Sequence, residues 1–290
     1  MSAHKQSSLI TSAVCETIPW QHPSLPILLN WNAGKHLNTT RFHYHTIVLE
    51  IHIIRRGNGR YLIDRQLVPF QGYTALVIQP GQRHRCLHKL GQWLQKVTLM
   101  ADQSLLSVRP AGSIAGTLPE WIKLSSEELN ILEMRCRIME HEIHHPSSIS
   151  LTVIQNELEN MILLLQQAGE RKAVTPVSDS RMLKVIDFIE TNYAQKLNIE
   201  QLAATVAMSP GHLSHLFKQQ TLMSIKHFIL QCRIAAAKVC LESARDVKMV
   251  VLAEQLGFSD LSLFNRCFKQ YAGITPGAYR RISHKHHRIY

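Results

Sequence analysis

His43 and His45 stand two residues apart, so on a β-strand both imidazoles point to one face. Four residues separate that pair from the carboxylate of Glu50, and Pro80-Gly81-Gln82-Arg83-His84 brings a further imidazole after a later turn. Imidazoles donate or accept hydrogen bonds and a carboxylate accepts them, so such a set can anchor the hydroxyl or amine of a polar effector. The same four residues can also be structural members of a β interior. Far along the chain, Arg266 is a candidate of another kind. A guanidinium can grip O6 and N7 of guanine with two parallel hydrogen bonds, or it can hold a phosphate.

The imidazoles need strands to converge. From about residue 26 to residue 124, apolar and polar residues alternate in short bursts such as HTIVLEIHII (45–54), YLIDRQLV (61–68) and TALVIQ (74–79). Turn signals separate them at Arg56-Gly57-Asn58-Gly59, at Pro69 to Gly72 and at Pro80-Gly81. Short strands at this spacing predict an antiparallel sandwich or small barrel. Trp20, Trp31, Tyr44 and Tyr61 are either stacking surface at a pocket mouth or plain core. The run HxHx₄Ex₆G, from His43 to Gly57, followed by Pro80-Gly81 and His84, resembles the cupin signature, with a departure in spacing around Gln79. That resemblance implies an antiparallel cupin-like β-barrel with an effector pocket at His43, His45, Glu50, His84, Tyr61 and Trp31. In metal-binding cupins the positions of His43, His45, Glu50 and His84 are ligands, a three-nitrogen, one-oxygen set for a divalent transition ion. A metal-free pocket for a small-molecule effector is the other reading, and it requires no cofactor.

From Ser125 the period changes from two to about 3.6. Ser125-Ser126-Glu127-Glu128 reads as an N-cap with first-turn acids, opening a helix with Leu129, Leu132, Met134, Cys136 and Met139. Pro146 breaks it, and a second helix over about 149–168 carries Leu151, Ile154, Leu158, Met161, Ile162 and Leu165 on one stripe. Two amphipathic helices beside a small β domain need cover for their apolar faces, and a two-fold partner can supply part of it. A homodimer is therefore expected here. His141, His144 and His145 share helical spacing, but before Pro146 they read as a solvated helix end rather than a metal site. Residues 169–180 are polar with Pro and Ser, which predicts a linker; residues 283–290 read as a frayed basic tail.

Arg266 needs a helix, and the chain supplies two copies of one. LAATVAMSPGHLSHLFKQQTLMSIKHF (202–228) and LAEQLGFSDLSLFNRCFKQYAGITPGAY (252–279) repeat one pattern about fifty residues apart. Each opens on a short amphipathic run, turns tightly, and restarts from a polar cap, the outline of a helix-turn-helix. Asn198 caps the first scaffold helix, Ser209-Pro210 starts the first second helix, and Ser259 or Asp260 starts its counterpart. Gly211, Ser214, His215 and Lys218 face outward in one copy, and Ser262, Asn265, Arg266 and Lys269 at the same positions in the other. A helix over about 224–241 joins them; at 1.5 Å per residue it spans about 27 Å, enough to set two recognition helices about one DNA turn apart. Arg233 within it is expected to be a structural ion-pairing residue rather than a DNA contact.

The charge agrees. The formal net charge is +11, and residues 181–290 carry 15 Lys+Arg against 7 Asp+Glu, which suits a polyanionic partner. An apolar fraction of 45% with 18% charged residues excludes wholesale disorder. Six scattered cysteines without a CxxC pair point to reduced thiols in the cytoplasm. No secretory h-region and no apolar run of about 18 residues are present, so no membrane partner is expected.

The run LGFSDLSLFNRCFKQYAGITPGAYRR resembles the C-terminal signature of the AraC/XylS family of transcription regulators, and QCRIAAAKVCL resembles that family's linker helix. The resemblance implies an α+β multidomain chain. Residues 1–124 would be the effector-binding β domain and 125–168 the dimerising hairpin. Residues 169–180 would be the linker, 181–282 an all-α double helix-turn-helix domain and 283–290 the tail. It places Gly211, Ser214, His215, Ser262, Asn265 and Arg266 toward bases. Lys218, Lys269, Arg280 and Arg281 are candidate phosphate contacts, and a contact with RNA polymerase is implied. Two departures stand out. Leu222 occupies a position where the first repeat usually has Gly, and Gly211 offers no side chain to a base. The reading is a non-enzymatic regulator that binds double-stranded promoter DNA. Its alternatives are a metal-dependent cupin enzyme fused to a DNA-binding module, and an architectural protein or repressor without effector.

Overall fold

A computed structural model describes residues 14–15, 18, 20–34, 42–88, 91–106, 118–170, 179–243 and 247–286. Its β-rich part has two facing sheets. One runs in the order β1 (Val14–Cys15), β3 (His43–Tyr44), β8 (His84–Leu87), β5 (Asn58–Ile63), β6 (Gln66–Gln71). The other runs β10 (Trp121–Lys123), β7 (Thr74–Ile78), β4 (Val48–Arg56), β9 (Leu94–Asp102), β2 (Ile27–Gly34). Neighbours pair antiparallel except β1 with β3, which is parallel. Among the described residues no ladder joins the sheets, so this is an open, sandwich-like form of the barrel anticipated from the sequence.

Alternation along the strands makes three layers of contact. Inward-facing Ile54, Tyr61, Ile63, Val68, Phe70, Leu76 and Ile78 fill the space between the sheets. On the outer face of the β4 sheet, Leu49, Ile51, Ile53, Val97 and Leu99 pack under α1 (Ser126–His144) and α2 (Ser150–Gly169). Burying each such Leu or Ile stabilises by roughly 1.5–3 kcal/mol. Ser125 and Glu128 form a reciprocal capping box that starts α1. Ion pairs Arg55–Glu133 (2.6 Å) and Arg135–Glu157 (2.6 Å) hold the hairpin to the sheet and to itself. On the outer face of the other sheet, Phe42, Leu62, Leu67 and Leu87 join the core of the C-terminal helices.

Those helices are α3 (Ser180–Asn192), α4 (Ile199–Ala204), α5 (Pro210–Thr221), α6 (Ile225–Ser243), α7 (Met249–Gln255), α8 (Leu261–Ala272) and α9 (Pro276–His286). Asp179 caps α3, Asn198 caps α4, Ser209 caps α5 and Asp260 caps α8, each through its side chain. The two turns repeat almost atom for atom. The Met208 N–H donates to the Ala203 carbonyl and the Phe258 N–H to the Ala253 carbonyl, both at 3.0 Å. Ala207 (φ +52°) and Gly257 (φ +79°) occupy the same left-handed position, as do Leu222 (φ +63°) and Gly273 (φ +80°) at the ends of α5 and α8. The tail differs from expectation in that α9 continues to His286; residues 287–290, and 171–178 of the expected linker, lie outside the described residues. No described helix is long and apolar enough to cross a membrane.

Candidate functional sites

Between the sheets, His43 from β3, His45 just after it, Glu50 from β4 and His84 from β8 bring one donor atom each within 4.8 Å of one another, and all four are buried. Register explains it. His43 pairs with His84 across β3 and β8, and Glu50 comes from the facing sheet. His84 Nε2 lies 2.9 Å from Glu50 Oε2, and His45 Nε2 lies 3.8 Å from the same oxygen. The Gln82 carbonyl, 3.1 Å from His84 Nδ1, can only accept, so Nδ1 carries a proton and Nε2 is the atom turned to the cluster. The donor set fits a divalent transition ion: three imidazoles, one carboxylate, burial and a tautomer fixed from behind. Among the described residues it is the one such converging group of His, Cys, Asp or Glu.

His52 belongs to the same cluster and was not singled out from the sequence. Its Nε2 lies 3.0 Å from Glu50 Oε1 and its Nδ1 3.1 Å from Thr98 Oγ1. The signal was available: His52 follows Glu50 by two residues, so the β4 pleat puts both on one face. Lys96 Nζ then reaches His52 Nδ1 at 3.3 Å and donates to Tyr61 Oη at 2.8 Å. Burial works against a charge on Glu50, but His52 and His84 outweigh it and hold the carboxyl well below the ordinary carboxylate range. Burial and Lys96 push His52 down to about 4. Burial also opposes a charge on His84, and Glu50 with the Gln82 carbonyl raises it regardless. Tyr61 lies beside the cluster, its ring 4.7 Å from that of His52. Trp31 does not. It pairs with Val97 on the outer face of its sheet and lies under the Arg137 guanidinium at 4.6 Å, because strand alternation turns it toward α1.

The second site is a surface. On α5, Leu213 and Phe217 are buried while Gly211, Ser214, His215 and Lys218 are exposed; on α8, Phe264, Cys267 and Phe268 are buried while Ser262, Asn265, Arg266 and Lys269 are exposed. Both helices thus present the same i, i+3, i+4, i+7 stripe. They border one groove of about 940 Å³, whose lining includes Ser214, Lys218, Lys226 and Ser259 and no acidic residue. α6 spans 19 residues, about 28 Å at 1.5 Å each, between the two units. Arg233 on α6 donates to the carbonyls of Tyr193 (2.7 Å), Gly257 (2.6 Å) and Gln195 (3.0 Å), so among the described residues it fastens one unit to the other through carbonyls and not through the ion pair expected from the sequence. Arg281 is exposed, whereas Arg280 is half-buried and donates to the Val247 carbonyl at 2.9 Å. One edge of the Arg280 guanidinium braces α9 instead of facing outward.

Residues 202–282 match a family model described as a helix-turn-helix domain. The arabinose operon regulatory protein of Salmonella typhimurium is 32% identical over 124 residues, covering 42% of this chain and 44% of that protein. The match thus spans less than half the length of that relative. An uncharacterised HTH-type transcriptional regulator of Bacillus subtilis, YfiF, is 26% identical over 271 residues, covering 87% of this chain and 82% of its own. Among solved structures, the C-terminal domain of the two-component response regulator yesN from Fusobacterium nucleatum is 33% identical over 33% of this chain and 94% of its own, with a TM-score of 0.32.

Proposed function

Since this chain belongs to the AraC/XylS family of helix-turn-helix regulators, we propose that it controls transcription in the cytoplasm by reading two successive major grooves of promoter DNA. α5 and α8 are the reading helices. The observation that carries this is the pair of exposed stripes at matching helical positions, Gly211, Ser214 and His215 on one helix and Ser262, Asn265 and Arg266 on the other. Lys218, Lys269 and Arg281 supply phosphate contacts, with Arg280 in a bracing role. The division of labour follows the sequence: 1–124 senses, 125–168 dimerises, 169–180 links, 181–282 reads DNA and 283–290 is a basic tail. Contact with RNA polymerase rests on the family resemblance alone. Selection of duplexes from a random pool tests the reading. Enrichment of a site with two elements about ten base pairs apart supports it, and absence of any enriched sequence sinks it.

The β sandwich is the sensor in this reading, and the cluster at His43, His45, Glu50 and His84, with His52, Tyr61 and Lys96 beside it, is where an effector is recognised. Convergence of four donors within 4.8 Å favours an effector of ionic size, a divalent transition ion, over a larger organic molecule held at the same atoms. When bound there the ion would replace the proton shared by His84 and Glu50 and fix β3, β4 and β8 together. A metal-dependent enzyme would need a ligand position open to substrate. The relatives reported above are regulatory proteins, which favours sensing over turnover. Calorimetric titration of the whole protein with Zn²⁺ and Ni²⁺, against His84→Ala, tests this arm; equal binding by both proteins removes the cluster as the site.

A further inference from the structure

Strand β8 puts consecutive residues on opposite faces of its sheet. His84 and Cys86 turn inward beside Ile63 and Tyr61, whereas Arg85 and Leu87 turn outward beside Leu62 and Arg60. Inward, His84 Nε2 meets Glu50 Oε2 at 2.9 Å. Outward, Arg85 is fully buried against the DNA-reading half. It pairs with Glu190 of α3, donates to Cys232 Sγ of α6 at 3.1 Å, and lies 4.9 Å over the ring of Phe228, also of α6. Just beyond the strand, the His88 carbonyl accepts from Gln231 Nε2 of α6 at 3.4 Å. Arg60, opposite Leu87 in the ladder, comes within 3.5 Å of the Gln219 carbonyl near the end of α5.

A strand laddered on both sides moves as a unit: His84 is paired with His43 of β3 and with Ile63 of β5. Any displacement of His84 when the cluster gains or loses an occupant is therefore passed through a single peptide unit to Arg85. The partners of Arg85 lie on α3 and on α6, the helix that sets the separation of α5 and α8. We propose that Arg85 is the positioning residue that couples the state of the His/Glu cluster to the arrangement of the two reading helices. This rests on the reading of that cluster as the sensor, and supplies the route by which two conformations could differ in DNA affinity.

Because the effector is unidentified, the probe is a substitution. His84→Asn disturbs the cluster, and Glu190→Gln removes the charge that Arg85 pairs with. Hydrogen exchange of α6 and affinity for a selected duplex are measured in the wild-type protein, both single variants and the double variant. Coupling through Arg85 predicts that His84→Asn changes α6 exchange and DNA affinity by about threefold or more in the wild-type background and leaves both nearly unchanged in the Glu190→Gln background. Equal responses in the two backgrounds, or no response in either, overturn the proposal, since a merely structural Arg85 gives additive effects. Arg85→Lys serves as the second background, keeping the charge while removing the Nη1 that reaches both Glu190 and Cys232, and is expected to behave like Glu190→Gln. Failure of Zn²⁺ and Ni²⁺ to bind would sink the metal reading separately, without touching this cycle.

Discussion

Arg266 is the most exposed to test of the side chains assigned here. It stands on the outer stripe of α8 one residue from Asn265, so an asparagine amide and a guanidinium are offered together to a base pair edge. Arg266→Ala is expected to weaken binding to a selected duplex by about 1–3 kcal/mol and to relax selectivity at one base pair. Fluorescence titrations with selected and random duplexes check it: equal losses on both would reassign the residue to phosphate. Gly257 is a residue-scale prediction about folding. A Cβ there would sit 2.2 Å from the Ala194 carbonyl oxygen, at a φ of +79° that L residues rarely adopt. Gly257→Ala should lower stability by about 2 kcal/mol or more, read as a drop in the denaturation midpoint. Its counterpart Ala207 is exposed with the same left-handed backbone, so Ala207→Gly is expected to raise stability by a few tenths to about 1 kcal/mol, read as a higher midpoint.

At the scale of the element, the two helix-turn-helix copies share their geometry and differ in what they present. The first copy holds Ala207 and Leu222 where the second holds Gly257 and Gly273, and it offers Gly211 where the second offers Ser262. The left-handed conformation at Leu222 that the sequence departure raised is present, accepted without glycine. If the two helices read DNA as proposed, α8 is better equipped to read bases than α5, which would mainly add affinity and register. Exchanging Ser214 and His215 for other residues should change the enriched DNA sequence less than exchanging Asn265 and Arg266. Sequencing of the pools selected by each variant decides it, and an equal change would remove the asymmetry.

At the scale of the molecule, three bodies of structure meet on two sheets. The hairpin α1–α2 covers one sheet but leaves Ile131, Met134, Ile138 and Leu163 on its outer side, with Met134 60% exposed. That apolar stripe is where a second copy would be covered. Met134→Glu with Ile138→Glu should shift sedimentation from dimer to monomer while leaving far-ultraviolet circular dichroism unchanged. A wild-type protein that sediments as a monomer at every concentration would sink the dimer. Dimerisation would also double the reading helices per complex, so the same variant is expected to weaken DNA binding and shallow its salt dependence.

The repeat, its caps and its outward stripes were legible in the sequence because they are local: Ser209, Asn198 and Asp260 act within three residues, and a 3.6 period needs no partner. The strands and the set His43, His45, Glu50 and His84 were legible for the same reason, through the pleat and a signature of fixed spacing. What lay beyond it depended on which strands became neighbours. Trp31 was assigned to the pocket as an aromatic in a β-textured stretch; the pairing of its strand with β9 turns it to the other face. Arg233 was legible as a structural residue, but its acceptors were not: the carbonyls of Tyr193, Gln195 and Gly257 come from 24 to 40 residues away in the chain. Arg85 is the extreme case: nothing near it in sequence marks it, and its partners Glu190 and Cys232 stand 105 and 147 residues away. A single sequence carries periodicity and capping, which are short-range; the packing of one sheet face against a distant helix is long-range, and only the tertiary structure decided it.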